Sequence, residues 1–292
     1  MRSADPSGVI LYDKPAGVSS HDVVVAVRRQ GGREKPAGAR TTGTVQVGQG
    51  ERGIEHAGGK VKVGHAGTLD PFATGLLLVL VGRATRVQRF LMALPKSYEA
   101  VARFGAVSST GDPEGEITET GLVPEGDLEL PKGRLMQRPP AYSAIKLSGR
   151  RAYALARAGV PVEMAMREVY VHRFEERWRR GERRAFAIEC SSGTYVRSLI
   201  ADLGEAYCEE LRRTRIGPFD VADADPERVV PLAEALAFLP EVRLDAENAR
   251  RAAYGQKIPG KADGPGRLTD ELGLIALAEP LGDCLRPVVG FR

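Results

Sequence analysis

The chain has 292 residues, 42% apolar and 27% charged, the composition of a soluble globular protein large enough for one sizeable core and a second, smaller domain. Lysine and arginine exceed aspartate and glutamate only by 42 to 38, a net charge of +4, so total charge assigns no partner; the arginines are bunched, at 83/86/89, 150/151, 179/180/183/184 and 212/213/215, and several bunches together predict a surface that tracks phosphates. No run reaches the roughly 20 apolar residues of a membrane-spanning helix, the N-terminus lacks a signal-peptide core, and three cysteines without C-x-x-C spacing and four histidines without a ligand pattern predict a reduced, cytoplasmic protein that binds no metal.

Taken in order, residues 9–12 read as a strand that Asp13-Lys14-Pro15-Ala16-Gly17 breaks, and Ser19 or Ser20 caps a helix running through about Gln30. Residues 31–60 are rich in Gly and polar side chains without periodicity, a flexible insertion. Such a loop costs little to close, about 0.6 kcal/mol per doubling of its length. Next, Gly64-His65-Ala66-Gly67-Thr68-Leu69-Asp70-Pro71-Phe72-Ala73-Thr74-Gly75 runs straight into the apolar residues 76–81. Glycines and a proline around an acidic residue, immediately ahead of a buried strand, present Asp70 on the rim of a core. On these residues alone Asp-Pro also reads as a plain turn opener.

Residues 84–92 carry apolar side chains at helical spacing with arginines between them, and residues 96–105 read as a strand in which Tyr98 is a half-buried cross-strand partner. Residues 108–116 are turn-rich. A helix from Arg150 ends at Gly159, a normal C-terminal glycine. Residues 169–180 and 184–190 alternate as strands and meet in a hairpin at Gly181-Glu182. After Gly193 a helix begins with Val196, Leu199, Ile200 and Leu203 on one face, which leaves Tyr195 and Arg197 on its opening turn to face a cleft. A short helix over residues 231–239 precedes Pro240, and strand-like runs at 272–277 and 287–291 close the chain.

The string G-H-A-G-T-L-D-P-F-A-T-G-L-L from Gly64 closely resembles the signature of the TruB family, the bacterial tRNA pseudouridine-55 synthases. The match is long and gap-free, and so more specific than a lone Gly-rich loop. A haloacid-type hydrolase would place a second Asp two residues on, where this chain has Phe72. Five further stretches resemble motifs of the same family: D-K-P-x-G-x-x-S from Asp13, K-x-Y-x-A from Lys96, P-P-x-Y-S-A-x-K from Pro139, G-T-Y-V-R from Gly193, and Leu211-Arg212-Arg213. The likeness covers nearly the whole chain.

It implies an α+β fold: a mixed, largely antiparallel sheet with flanking helices and a central cleft over residues 1–240, an RNA-gripping thumb over about 133–160, and a small PUA-like β domain over 241–292. In the reaction it implies, uridine 55 in the T-loop of tRNA is flipped out and isomerised to pseudouridine by an aspartate nucleophile without a cofactor. Asp70 is then the nucleophile, Arg197 its ion-pair partner and Tyr98 the stacking ring, and these three form the catalytic set. On the substrate side, His65 enters the vacated stack, Tyr195 lines the uracil pocket, Leu211 packs near the flipped base, Lys146 meets phosphate, and Lys14 with Pro15 supports the loops from beneath. From the residues alone, Arg197 also reads as a surface or phosphate-binding arginine and His65 as a brace for its loop. The implied partner is the T-arm of tRNA, met by a monomer, with no membrane and no metal.

Two departures from the family stand out. The 31–60 insertion is longer than the usual crossing, and its role is open between a loop that helps hold RNA and a neutral expansion. The stretch between Thr120 and Gln137 looks shortened. Two other functions are compatible with the residues: action on another RNA, including the guide-RNA-dependent branch, against which the compact C-terminal region and absence of basic tails argue, and an RNA-folding protein in which catalysis is secondary.

Overall fold

Apolar runs and period-two alternation bring ten strands, among the described residues, into one mixed sheet. The structure, a computed structural model, describes residues 7–30, 55–56, 59–143, 145–147, 149–160 and 164–292, so most of the 31–60 insertion lies outside the described residues. The elements that build the site are β1 (Gly8–Lys14), α1 (Ser20–Gln30), β2 (Val63–His65), β3 (Thr74–Val81), α2 (Gln88–Met92), β4 (Lys96–Phe104), β5 (Gly133–Gln137), β6 (Arg167–Arg180), β7 (Arg183–Cys190), α3 (Val196–Ala201) and β8 (Ala206–Ile216).

Across the sheet the order is Val230–Pro231, β1, β3, β8, β4, β7, β6, β5, with β2 beside β3 and the short strand Phe219–Asp220 beside β8. Neighbours run antiparallel, as expected of the family, except β3 and β8, which meet in parallel at Thr74 and Gly75. That contact falls where the Asp70 loop enters the sheet. β3 explains why the loop has firm support: Leu76, Leu78 and Leu80 bury into one core with Val9 and Leu11 of β1, while Leu77 and Val79 bury against Val23 and Val27 of α1. Each such side chain contributes about 1.5–3 kcal/mol on burial. The second core joins Ala100, Ala102 and Phe104 of β4 and Phe186 and Ile188 of β7 to Val196, Leu199 and Ile200 of α3, and it includes Leu69 and Ala73 of the loop.

α1 starts as its sequence indicates. The Ser19 hydroxyl accepts from Asp22 N at 3.2 Å while the Asp22 carboxylate accepts from Ser19 N at 2.9 Å, a capping box closed by Asp. The helix expected over 84–92 is split instead into a 3-10 turn, Gly82–Val87, and α2, because the Thr85 hydroxyl donates back to the Gly82 carbonyl at 2.8 Å and tightens the first turn. The strand β8 has no counterpart in the sequence reading. Register shifts at Cys208/Glu210 and Arg213/Arg215 break its alternation. Gly133–Gln137, at the start of the stretch expected to grip RNA, is the edge strand β5.

Beyond Pro240, α4 (Ala246–Ala253), β9 (Gly266–Asp270), β10 (Gly273–Leu281) and β11 (Cys284–Gly290) combine with the short strands Glu241–Arg243 and Ile258–Pro259 in a separate five-stranded sheet. It does not hang free. Leu277 and Val289 pack into the main core, Arg83 donates to the Phe291 carbonyl, Arg86 donates to the Gly290 carbonyl at 2.7 Å, and Arg89 pairs with Glu279 at 2.8 Å. The 83/86/89 bunch therefore fastens the C-terminal unit. Arginines of other bunches also have partners within the fold: Arg184 is buried and donates to the carbonyls of Pro124 and Gly126, Arg179 pairs with Asp127 and Glu176, Arg183 with Glu209, and Arg212 with Asp13. Sequence spacing shows that arginines cluster, and carboxylates brought in from other strands decide what they do. Among the described residues no helix is long and apolar enough to cross a membrane.

Candidate active site

Three buried polar side chains from three elements hold the Asp70 loop. From α1, the Ser20 hydroxyl accepts from Leu69 N at 2.8 Å and donates to Leu69 O at 3.0 Å. At the end of β1, the Lys14 ammonium donates to Pro15 O and Val18 O at 2.9 Å and to Pro71 O at 3.1 Å. From β8, Arg213 donates through Nε to Leu76 O at 2.7 Å, through Nη2 to Gly67 O at 3.2 Å and through Nη1 to Thr68 O at 3.4 Å. Close approach of β8 is possible because Gly75 has φ +105°, and a Cβ there would lie 2.2 Å from the Arg213 carbonyl oxygen. Asp70 thus sits on a loop whose neighbouring carbonyls are nearly all used.

Arg197, on the opening turn of α3, is buried and shared between two carboxylates. Its Nε lies 2.9 Å from Asp70 Oδ2, close but off the axis of a hydrogen bond. Nη1 donates to Asp112 Oδ2 at 2.8 Å and to Thr110 O at 2.7 Å, and Nη2 donates to Tyr142 O at 2.8 Å. Asp112 is itself held, accepting on Oδ1 from the Thr110 hydroxyl at 2.6 Å and from Glu114 N at 3.1 Å. Although 28% of the Asp70 side chain meets solvent, the surrounding protein strips much of its hydration. That burial pushes its carboxyl above the usual range, Arg197 pulls it back down, and Asp112 pushes it up again. Burial also lowers the Lys14 ammonium to about 8 against the pull of Asp70.

Tyr98 lies on β4 opposite Arg213 and Ile188. Burial pushes its phenol up to about 12, partly offset by the charge of Arg213. Tyr98 therefore stays neutral at ordinary pH. Leu211 is buried in the same cluster as Tyr98, Leu69 and Phe72. Tyr195 has its backbone clamped by Gln137, which accepts from Tyr195 N at 2.8 Å and donates to Tyr195 O at 3.0 Å. The Arg167 guanidinium covers its ring at 4.8 Å. His65 ends β2, half-buried, its carbonyl receiving Gln88 Nε2 at 2.7 Å.

The sequence-derived residues thus divide into groups. Asp70 and Arg197 are in direct contact, and the surface reading of Arg197 is excluded by its burial. Tyr98 and Leu211 share the cluster that carries the Asp70 loop. Lys14 is fully buried on three carbonyls, so it supports the loop and is out of reach of a substrate. The backbone of Lys146 pairs with Arg151, but its side chain falls outside the described residues. Sequence reasoning missed Asp112, Ser20, Gln137 and the inward course of Arg213. Asp112 looks like turn punctuation in G-D-P-E-G, and only the fold reveals the buried cation beside it.

A carboxylate on a braced turn, aimed by a buried guanidinium beside a neutral aromatic ring, is an arrangement for nucleophilic attack next to a planar base. Residues 55–196 match the family model described as TruB family pseudouridylate synthase (N terminal domain). The chain is 40% identical to the tRNA pseudouridine synthase B of Thermobifida fusca over a 318-residue alignment covering 97% of this chain and 98% of that one. It is 36% identical to the same-named protein of Mycobacterium tuberculosis, covering 99% and 97%. Among solved structures, a chain of a Cbf5-Nop10-Gar1 complex superposes with a TM-score of 0.67 at 24% identity, covering 98% of this chain and 85% of that one. An H/ACA RNP bound to a substrate RNA containing 2'-deoxyuridine gives 0.66 at 22%, covering 98% and 86%. Those two likenesses establish the fold, and the near full-length identity to bacterial relatives goes further: the chain belongs to the TruB family of pseudouridine synthases.

Proposed function

We propose that this protein isomerises uridine 55 in the T-loop of tRNA to pseudouridine, with Asp70 as nucleophile and no cofactor. The observation that carries the reading is the buried Arg197 guanidinium 2.9 Å from Asp70. A carboxylate that loses hydration would otherwise protonate, and this cation keeps it ionised and aimed. The names of the bacterial relatives supply the substrate class.

The target uridine leaves its stack at a cost of a few kcal/mol, and stacking on Tyr98 returns about 1–3 kcal/mol of it. His65, five residues before Asp70, fills the space left behind. Asp70 attacks the sugar or the ring, the bond from C1' to N1 breaks, the uracil turns, C1' bonds to C5, the bond to Asp70 breaks to free the carboxylate, and C5 loses a proton while N1 gains one. Atoms and electrons balance within the nucleotide, so the reaction asks nothing of an external redox group. Residues 1–240 act as the catalytic unit with a thumb over about 133–160 that brings Lys146 to the RNA, and residues 241–292 act as a PUA-like unit, in a cytoplasmic monomer.

Carbodiimide mapping of an unmodified tRNA transcript after incubation with the protein tests the assignment. A new stop at position 55, absent from a transcript with cytidine there, is the expected result. Pseudouridine at other positions with none at 55 would overturn it.

A further inference from the structure

Arg213 is 1% exposed, next to Arg212, which pairs with Asp13 near the surface. It cannot touch a phosphate from there. Burying a guanidinium is costly unless its donors are used, and Arg213 uses them on the carbonyls of Leu76, Gly67 and Thr68. Tyr98 stands directly opposite Arg213 in the antiparallel β8–β4 ladder, so the two side chains are neighbours on one face of the sheet. One planar side chain therefore ties the start of β3 to the loop before Asp70, at the position opposite the ring on β4.

We propose that Arg213 is a positioning residue of the reaction, fixing the height and tilt of the Tyr98 ring relative to the loop that carries Asp70. The inference rests on the roles of Asp70 and Tyr98 proposed above. Base and nucleophile are supplied by different elements, the base resting on β4 and the carboxylate on a turn between β2 and β3, and a productive attack tolerates only about 0.5 Å of error between them. Arg213 holds the loop by its carbonyls and stands opposite Tyr98 in the ladder that carries the base. A lysine keeps the charge but has no planar fork to serve three carbonyls together.

Single-turnover rates on a T-arm stem-loop, with stem-loop affinity and thermal melts measured in parallel, test this for Arg213→Lys, Arg213→Met, Tyr98→Phe and the Arg213→Lys/Tyr98→Phe double variant. Arg213→Lys is expected to lose about a hundredfold in rate, as a misplacement near 1 Å would cause, with affinity nearly unchanged. Because the residue acts through Tyr98, the double variant should fall only slightly below the slower single variant. A folded Arg213→Lys protein at full rate overturns the proposal, as do losses that multiply in the double variant or a Tyr98→Phe protein at full rate. If Arg213→Met does not fold, the lysine variant and the cycle decide. Full activity in Asp70→Asn or Tyr98→Leu would sink the underlying reading as well; both inactive with Arg213→Lys fully active sinks this inference alone.

Discussion

Asp112→Asn isolates what the second carboxylate contributes to the first. Arg197 is 3% exposed and divides its donors between Asp70 at 2.9 Å and Asp112 at 2.8 Å. Asparagine keeps the size and one acceptor and removes the charge that holds Nη1 in place. A hydrogen bond to a charged group contributes about 1.5–3 kcal/mol, which corresponds to roughly one to two powers of ten in rate if the aim of Arg197 is lost in the chemical step. Asp112 also pushes the Asp70 carboxyl upward, so its neutralisation moves the acid limb of the rate–pH profile to lower pH even as the plateau falls. The readout is single-turnover release of tritium from C5-labelled uridine in a T-arm stem-loop, measured from acid to neutral pH. A plateau at the parent rate with an unmoved acid limb would refute the coupling of the two carboxylates through Arg197.

Burial raises the folded-state carboxyl of Asp70, so folding favours its protonated form; the associated stability is full at low pH and lost as pH rises through the folded value. Asp70→Asn should accordingly melt higher than the parent at pH 7 and match it below the ordinary aspartate range, by calorimetry across pH. Gly75→Ala forces a side chain onto φ +105° and within 2.2 Å of the Arg213 carbonyl oxygen, and should cost at least about 3 kcal/mol in urea unfolding. Arg86→Ala removes the bond to Gly290 and should make the C-terminal unit more sensitive to protease without changing the salt dependence of tRNA binding. Replacing Arg150 and Arg151 together should flatten the log affinity–log salt slope by about one to two units.

The large sheet, the hairpin at Gly181-Glu182 and the turn carrying Asp70 are legible in the sequence because each is written locally, in alternation, in turn residues or in an apolar run. Lys14 and Asp70 lie in recognisable strings, and the supporting role of Lys14 follows from its string. What could not be read is what depends on partners far along the chain. Arg213 and Arg212 are neighbours of the same type, yet one is buried under a loop 145 residues away and the other pairs near the surface with Asp13, because register shifts in β8 hide the alternation that would separate them. Asp112 joins Arg197 across 85 residues. Nothing within G-D-P-E-G marks it as more than a turn.

The measurement closest to the central claim compares Asp70→Asn with the parent in single-turnover tritium release, with stem-loop affinity determined on the same preparations. The nucleophile assignment predicts a loss of about 10⁴-fold or more in the chemical step with affinity within about tenfold, or 1.4 kcal/mol. Turnover near the parent rate in a folded Asp70→Asn protein would contradict it.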